Sequence, residues 1–67
     1  MKEFKITLAA ARVNAGMTQE KIAQEMHVSK NTIVNWEKGK TEMKPAQFKM
    51  YCMVVGAPEN IISLFHT

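Results

Sequence analysis

The stretch from Thr18 to Lys40, TQEKIAQEMHVSKNTIVNWEKGK, decides the fold. Its first part predicts a helix capped by Thr18, because apolar residues recur there at helical spacing. These residues are Ile22, Ala23 and Met26. Ser29 can cap a second helix, which Gly39 ends. The stretch therefore predicts two short helices joined by a tight turn.

The second helix has two chemically different faces. Ile33 and Trp36 are spaced i, i+3, which predicts that they face a core. The opposite face is polar, short-chained and rich in hydrogen-bonding groups. It consists of Lys30, Asn31, Thr32 and Asn35. A solvated helix face is the plainer interpretation of these residue types taken alone.

The flanking sequence predicts three more helices. Residues 4–14 form an amphipathic helix with Phe4, Leu8 and Ala11 on its core face, and Met17 enters the core after it. A fourth helix spans 45–55, with proline at its first turn, and a last helix opens at Pro58. The apolar side of the last helix is Ile61, Ile62 and Phe65. The predicted fold is all-α, a compact five-helix domain over residues 1–67.

Composition limits the function classes. The 67 residues carry a net charge of +3, a mild basic excess that permits a polyanionic partner. Cys52 is the one cysteine, so no internal disulfide forms and a reducing compartment is expected. No apolar run approaches the roughly 20 residues of a membrane span. Glu3 and Lys5 interrupt any signal-peptide core.

The residues that could act in catalysis or bind a metal have no suitable partner residues in the sequence. His27 and His66 are far apart in the chain and have no cysteine or carboxylate grouping near them. Cys52 lies on a core stripe, Ser63 has no evident base, and no glycine-rich phosphate loop is present. We therefore expect no enzyme activity, no catalytic residue, no metal site and no cofactor.

The pattern T-Q-x-x-I-A-x-x-x-x-V-S-x-x-T-I-x-x-W-E-x-G-K resembles the helix-turn-helix of the Cro/repressor (XRE-like) family of phage and bacterial regulators. The resemblance extends over residues 8–65. It implies a lambda-repressor-like domain whose helix-turn-helix covers residues 18–38. It also implies binding to double-stranded DNA, with the second helix of the motif in the major groove.

The resemblance assigns roles to particular residues. Lysine can donate to guanine, asparagine can pair with adenine, and threonine can contact thymine. Base contacts are therefore expected from Lys30, Asn31, Thr32 and Asn35. Phosphate contacts, which hold the register without reading sequence, are expected from a second set. That set is Gln19, Ser29, Lys38, Lys40, Thr41 and Lys44.

Two further positions follow from the resemblance. Arg12 and Glu37 match family positions that form a partly buried ion pair between the first and third helices. His27 stands where the family commonly has glycine with a positive φ. A non-glycine residue there either bears strain on the order of 1 kcal/mol or shifts the turn and the helix after it.

The function implied is that of a Cro-like or small repressor, from a phage or mobile element. It would act as a homodimer on a palindromic operator with half-sites about 34 Å apart. The expected dimer surface runs from Val54 to Phe65. The expected location is the cytoplasm, on the nucleoid of a bacterial host.

Two other function classes remain open. One is an adaptor, antitoxin-like or anti-repressor module, in which the helix-turn-helix binds a protein partner. An apolar or acidic surface around the second helix would favour it, and the lysines there argue against it. The other is a nonspecific nucleoid or single-strand binder. That function calls for a larger basic excess and exposed aromatic residues, whereas Trp36, Phe48 and Tyr51 lie on predicted core stripes.

Overall fold

The structure, a computed structural model, describes residues 6–61 and is helical throughout its regular elements. Four α-helices follow one another and a short 3₁₀ helix comes last. Their bounds are α1 Leu8–Asn14, α2 Gln19–Met26, α3 Lys30–Lys38, α4 Pro45–Val55 and the 3₁₀ helix Glu59–Ile61. The all-α prediction is confirmed for this range, and α2 and α3 form the predicted helix-turn-helix.

Hydroxyl side chains begin the first three helices. Thr7, Thr18 and Ser29 have extended backbones, and each side-chain oxygen accepts the N–H three residues later, at 3.0 to 3.1 Å. These bonds satisfy amide groups that a helix start leaves without partners. At α4, Pro45 occupies the first helical position, and the Lys44 N–H donates to Gln47 Oε1 at 2.8 Å.

All four helices end in the same way. A residue with positive φ follows each helix, and the next N–H reaches back five residues to a carbonyl at 2.9 to 3.1 Å. The positive-φ residues are Gly16, His27, Gly39 and Gly56. This Schellman geometry satisfies the last carbonyls of each helix and turns the chain sharply. Seven to eleven residues are thus enough for each helix to form.

One apolar core joins the helices, and α2 packs against both α3 and α4. Ile22 and Ile33 are fully buried at its centre. The other buried apolar residues are Leu8, Ala11, Ala23, Met26, Trp36, Met43, Tyr51 and Cys52. Met17 packs against this core as expected, and Trp36 is 6 % exposed, which confirms it as a core residue.

Two predicted helix boundaries need correction. The first helix begins at Leu8, because Thr7 is extended and caps it, so the predicted start at residue 4 is wrong; Phe4 lies outside the described residues. A hydroxyl residue before an alanine-rich run marks such a start. The predicted last helix is present as the 3₁₀ turn Glu59–Ile61, and its remaining residues, including Ile62 and Phe65, lie outside the described range. The five-helix count is therefore not confirmed.

Candidate nucleic-acid interface

A buried carboxylate ties α3 to the three other α-helices. Arg12 of α1 donates from Nε to Glu37 Oε2 at 2.8 Å and from Nη2 to Oε1 at 3.2 Å. Gln19 of α2 donates to Glu37 Oε1 at 3.1 Å. The Tyr51 hydroxyl of α4 lies 2.7 Å from Glu37 Oε2 and 3.0 Å from the Leu8 carbonyl oxygen. We call Arg12, Gln19, Glu37 and Tyr51 the Glu37 cluster.

The Glu37 cluster keeps its carboxylate ionised although it is buried. The Glu37 side chain is 5 % exposed and that of Arg12 is 13 % exposed. Burial opposes the charge on Glu37, but hydrogen bonds from Arg12, Tyr51 and Gln19 outweigh it and lower the pKa of the carboxyl. The hydrogen bond to Glu37 raises the pKa of Arg12, and burial followed by the Glu37 contact raises the pKa of Tyr51. The predicted Arg12–Glu37 ion pair is confirmed.

The consequence of the Glu37 cluster is a fixed orientation of α3. Glu37 lies in the last turn of α3, where α1, α2 and α4 each supply one side chain that bonds to it. Arg12 Nη1 also donates to the Met17 carbonyl at 2.9 Å, so the α1–α2 connection is held by the same side chain. Directional bonds from three helices allow α3 little rotation about its own axis.

The polar face of α3 points away from the core. We call Lys30, Asn31, Thr32 and Asn35 the reading face. Lys30 and Asn31 are exposed, and Thr32 and Asn35 are half-buried. All four lie within the first turn and a half of α3. Whether they contact bases stays a prediction, but the structure places them together on the accessible side of one helix.

Two members of the reading face already have partners within the chain. The Thr32 hydroxyl lies 2.9 Å from that of Ser29, whose oxygen also accepts the Thr32 N–H. Ser29 is therefore foremost a helix cap, and its phosphate contact remains a prediction. The Lys30 ammonium lies 2.9 Å from the Glu20 carboxylate in the first turn of α2.

Apart from Ser29, the predicted phosphate-contacting residues fall into two groups. Lys38, Lys40, Thr41 and Lys44 are exposed along the end of α3 and the connection to α4. Gln19 is half-buried at the first position of α2, with its amide engaged by Glu37. One amide donor bonded to Glu37 leaves the second donor of the same group for another acceptor. The phosphate role of Gln19 is thus compatible with the Glu37 cluster and stays a prediction.

The turn between α2 and α3 keeps its register despite His27. Its φ of 58° and ψ of 41° are left-handed, as expected for the position. The Val28 N–H donates to the Ala23 carbonyl at 3.0 Å, the same bond that closes the three glycine-ended helices. The histidine therefore bears the backbone strain, and the turn is not displaced.

Three features of the site escaped the sequence reasoning. The hydroxyl of Tyr51 completes the Glu37 cluster, although the stripe on α4 predicted only that its ring is in the core. A buried tyrosine hydroxyl needs a partner, and that rule pointed to a buried acceptor without naming it. The tie from Gln19 to Glu37 and the Glu20–Lys30 pair join different helices, so no spacing along the chain indicates them.

Within residues 6–61, no group of three or more histidine, cysteine, aspartate or glutamate side chains is arranged to hold a metal ion. Over the same range, no helix has both the length and the apolar character that crossing a bilayer requires.

Comparison with known proteins agrees with this geometry. The family model described as helix-turn-helix matches residues 8–54, which is most of the chain and includes all four α-helices except the last residue of α4. The chain therefore belongs to the Cro/XRE-type helix-turn-helix family, whose members are DNA-binding transcription regulators and typically not enzymes. No curated protein and no solved structure matches it significantly.

Proposed function

We propose that this protein is a Cro-like or small repressor that binds a specific double-stranded DNA operator through the major groove. The observation that carries the proposal is the reading face, exposed on a helix that the Glu37 cluster holds in one orientation. The major groove of B-DNA admits one α-helix, and the N-terminal residues of that helix reach the base edges.

The reading face has the chemistry for direct readout. Asn31 is exposed in the first turn of α3, where its amide can both donate to and accept from one adenine. Lys30 beside it offers donors suited to guanine O6 and N7. The Glu37 cluster supports such readout because a base contact of this kind requires a helix that does not roll in the groove.

Phosphate contacts would complete the interface. The exposed residues Lys38, Lys40, Thr41 and Lys44 follow the reading face along the chain, so they can reach the DNA backbone beside the groove. Gln19 and the first backbone amides of α2 lie at a helix start, which favours an anion. These groups supply affinity and salt dependence, and the reading face supplies sequence preference.

Tight binding calls for two copies of the domain. A single module of this kind buries roughly 600–1,000 Å² of protein surface on DNA, which is small for a specific complex. A homodimer joined through residues 54–65 would place two reading faces on a palindromic operator. Met53, which is 70 % exposed at the edge of this segment, supplies a large apolar side chain for that contact.

The test of DNA readout is selection of bound duplexes from a random pool, followed by affinity for the winner and for a scrambled duplex. We expect a short inverted repeat with a preference of about a thousandfold over scramble. Asn31→Ala should cost about 1–3 kcal/mol on the selected site and little on scramble. Lys38→Ala is the matched control, since it should weaken both duplexes alike and reduce the salt slope by about 1.

Three results would overturn parts of this proposal. Recovery of no motif, with binding that disappears at moderate salt, would remove sequence-specific recognition and favour the protein-partner alternative. Equal losses on both duplexes for Asn31→Ala would remove its role in direct readout. A light-scattering mass that corresponds to one copy of the chain, both in the free protein and in its complex with the operator, would refute the homodimer. Met53→Glu should lower that mass and Val13→Glu, an equally drastic change at an exposed site on α1, should not.

A further inference from the structure

An ion pair joins the two helices of the motif at their N-terminal ends. The Lys30 Nζ lies 2.9 Å from Glu20 Oε2, and the two side chains remain 53 % and 61 % exposed. Lys30 is the first residue of α3, and Glu20 is the second residue of α2. A pair this exposed contributes little to folding, because water and salt screen it. Its position beside the reading face gives it a different use.

We propose, on the basis of the DNA-binding function proposed above, that Glu20 is a positioning residue that makes Lys30 selective for guanine. It holds the ammonium over the first position of the reading face and withholds it from the phosphate backbone. Glu20 has a specificity role through Lys30, and the resemblance to the family assigned it none.

The donor count of lysine allows this arrangement. An ammonium has three donors, so a bond to Glu20 leaves two for another partner. Guanine presents two adjacent acceptors, O6 and N7, in the major groove. An unpaired lysine is a mobile point charge that any phosphate can bind, whereas one held by a carboxylate from α2 has a restricted direction.

The negative charge of Glu20 also favours specific over nonspecific binding. Its hydrogen bond to Lys30 lowers the pKa of the Glu20 carboxyl, so the group is ionised at neutral pH. The pair has no net charge, so Lys30 gains little from phosphates, and random DNA in general has no guanine at the matched position. On a site with guanine at the right position, the two remaining donors gain base contacts. Glu20 therefore lowers nonspecific affinity more than specific affinity.

The chain contains a matched control for this argument. Glu25 pairs with Lys21 at 3.3 Å within α2, and this pair is also exposed. Glu20→Gln and Glu25→Gln each remove one negative charge and one exposed ion pair from the same helix, so the two variants have the same net charge. Only the first substitution releases a residue of the reading face.

The experiment compares both variants with the wild type on the selected operator and on scrambled DNA over a salt series. Glu20→Gln should raise affinity for scrambled DNA several-fold more than Glu25→Gln does, and steepen its salt slope by about one phosphate contact. Repeated selection should show that Glu20→Gln relaxes the guanine preference at one position of each half-site. Glu25→Gln should leave every position unchanged.

Combination with Lys30→Ala tests whether Glu20 acts through Lys30. In that background, Glu20→Gln should produce no more change than Glu25→Gln, because the residue that Glu20 positions is gone. Equal effects of the two glutamine variants on both duplexes, with an unchanged guanine preference, would overturn the proposal. A wild type that selects no sequence would instead overturn the proposed function, so the two failures are distinguishable. Unchanged thermal unfolding of Glu20→Gln excludes a folding defect as the cause.

Discussion

Removal of the Arg12 guanidinium tests the Glu37 cluster most directly. Arg12→Met keeps the apolar stem of the side chain and deletes three hydrogen bonds, two to Glu37 and one to the Met17 carbonyl. The Glu37 carboxylate, 5 % exposed, is then buried without a cation. Stranding one partner of a buried ion pair costs about 3–5 kcal/mol. A domain of this size has a total stability of only about 3–10 kcal/mol, so the loss is severe.

The pH dependence identifies the cause of that loss. In the wild type the pKa of Glu37 lies below its ordinary value of 4.5, so its stabilising contribution is complete above that pH and is lost as pH falls through the folded pKa. In Arg12→Met, Glu37 loses the hydrogen bonds from Arg12 that offset its burial, so its pKa rises. The difference in unfolding free energy between the two proteins is therefore largest at neutral pH and shrinks as pH falls from the raised pKa of the variant to the lowered pKa of the wild type.

Urea unfolding followed by circular dichroism, between pH 3 and pH 7, measures both effects. Arg12→Lys covers the case in which Arg12→Met does not fold, since it retains the charge and loses the paired geometry. Arg12→Met with Glu37→Gln should recover part of the loss, because no buried charge is stranded. Lys21→Met, which breaks an exposed pair, is the control and should cost less than about 1 kcal/mol. A cost for Arg12→Met that is equally small and independent of pH would refute the reasoning.

Three other substitutions test separate features of the structure. His27→Gly should stabilise the protein by about 1 kcal/mol, because glycine bears no penalty at φ 58°, and an unchanged or lower melting temperature would contradict this. Tyr51→Phe should cost about 1.5–3 kcal/mol in urea unfolding and move the acid unfolding transition to higher pH, because Glu37 loses a donor at 2.7 Å. An acid unfolding transition at the same pH as in the wild type would refute that hydrogen bond. Ser29→Ala should cost about 1 kcal/mol by removing the cap of α3, and Thr41→Ala, at an exposed position between α3 and α4, is the comparison in urea unfolding and should cost little.

The local signals in the sequence were sufficient for the helix-turn-helix itself. Thr18, Ser29 and Gly39 marked the ends of α2 and α3 correctly, because capping depends on one or two residues and their nearest backbone groups. Core positions such as Ile33 and Trp36 followed from helical spacing, since a short amphipathic helix has one face to bury. The predicted start of α1 is wrong because the apolar spacing from Phe4 continues past the true boundary, which the cap at Thr7 sets.

The features of the candidate site also divide into local ones and ones that depend on tertiary packing. The residue types of the reading face and their common side of α3 are local properties, so the sequence by itself determined them. The contacts of Glu37 with three helices and of Glu20 with Lys30 were decided only by the tertiary structure. Such contacts depend on the angles at which helices pack, and those angles result from the shape of the whole core rather than from any spacing along the chain.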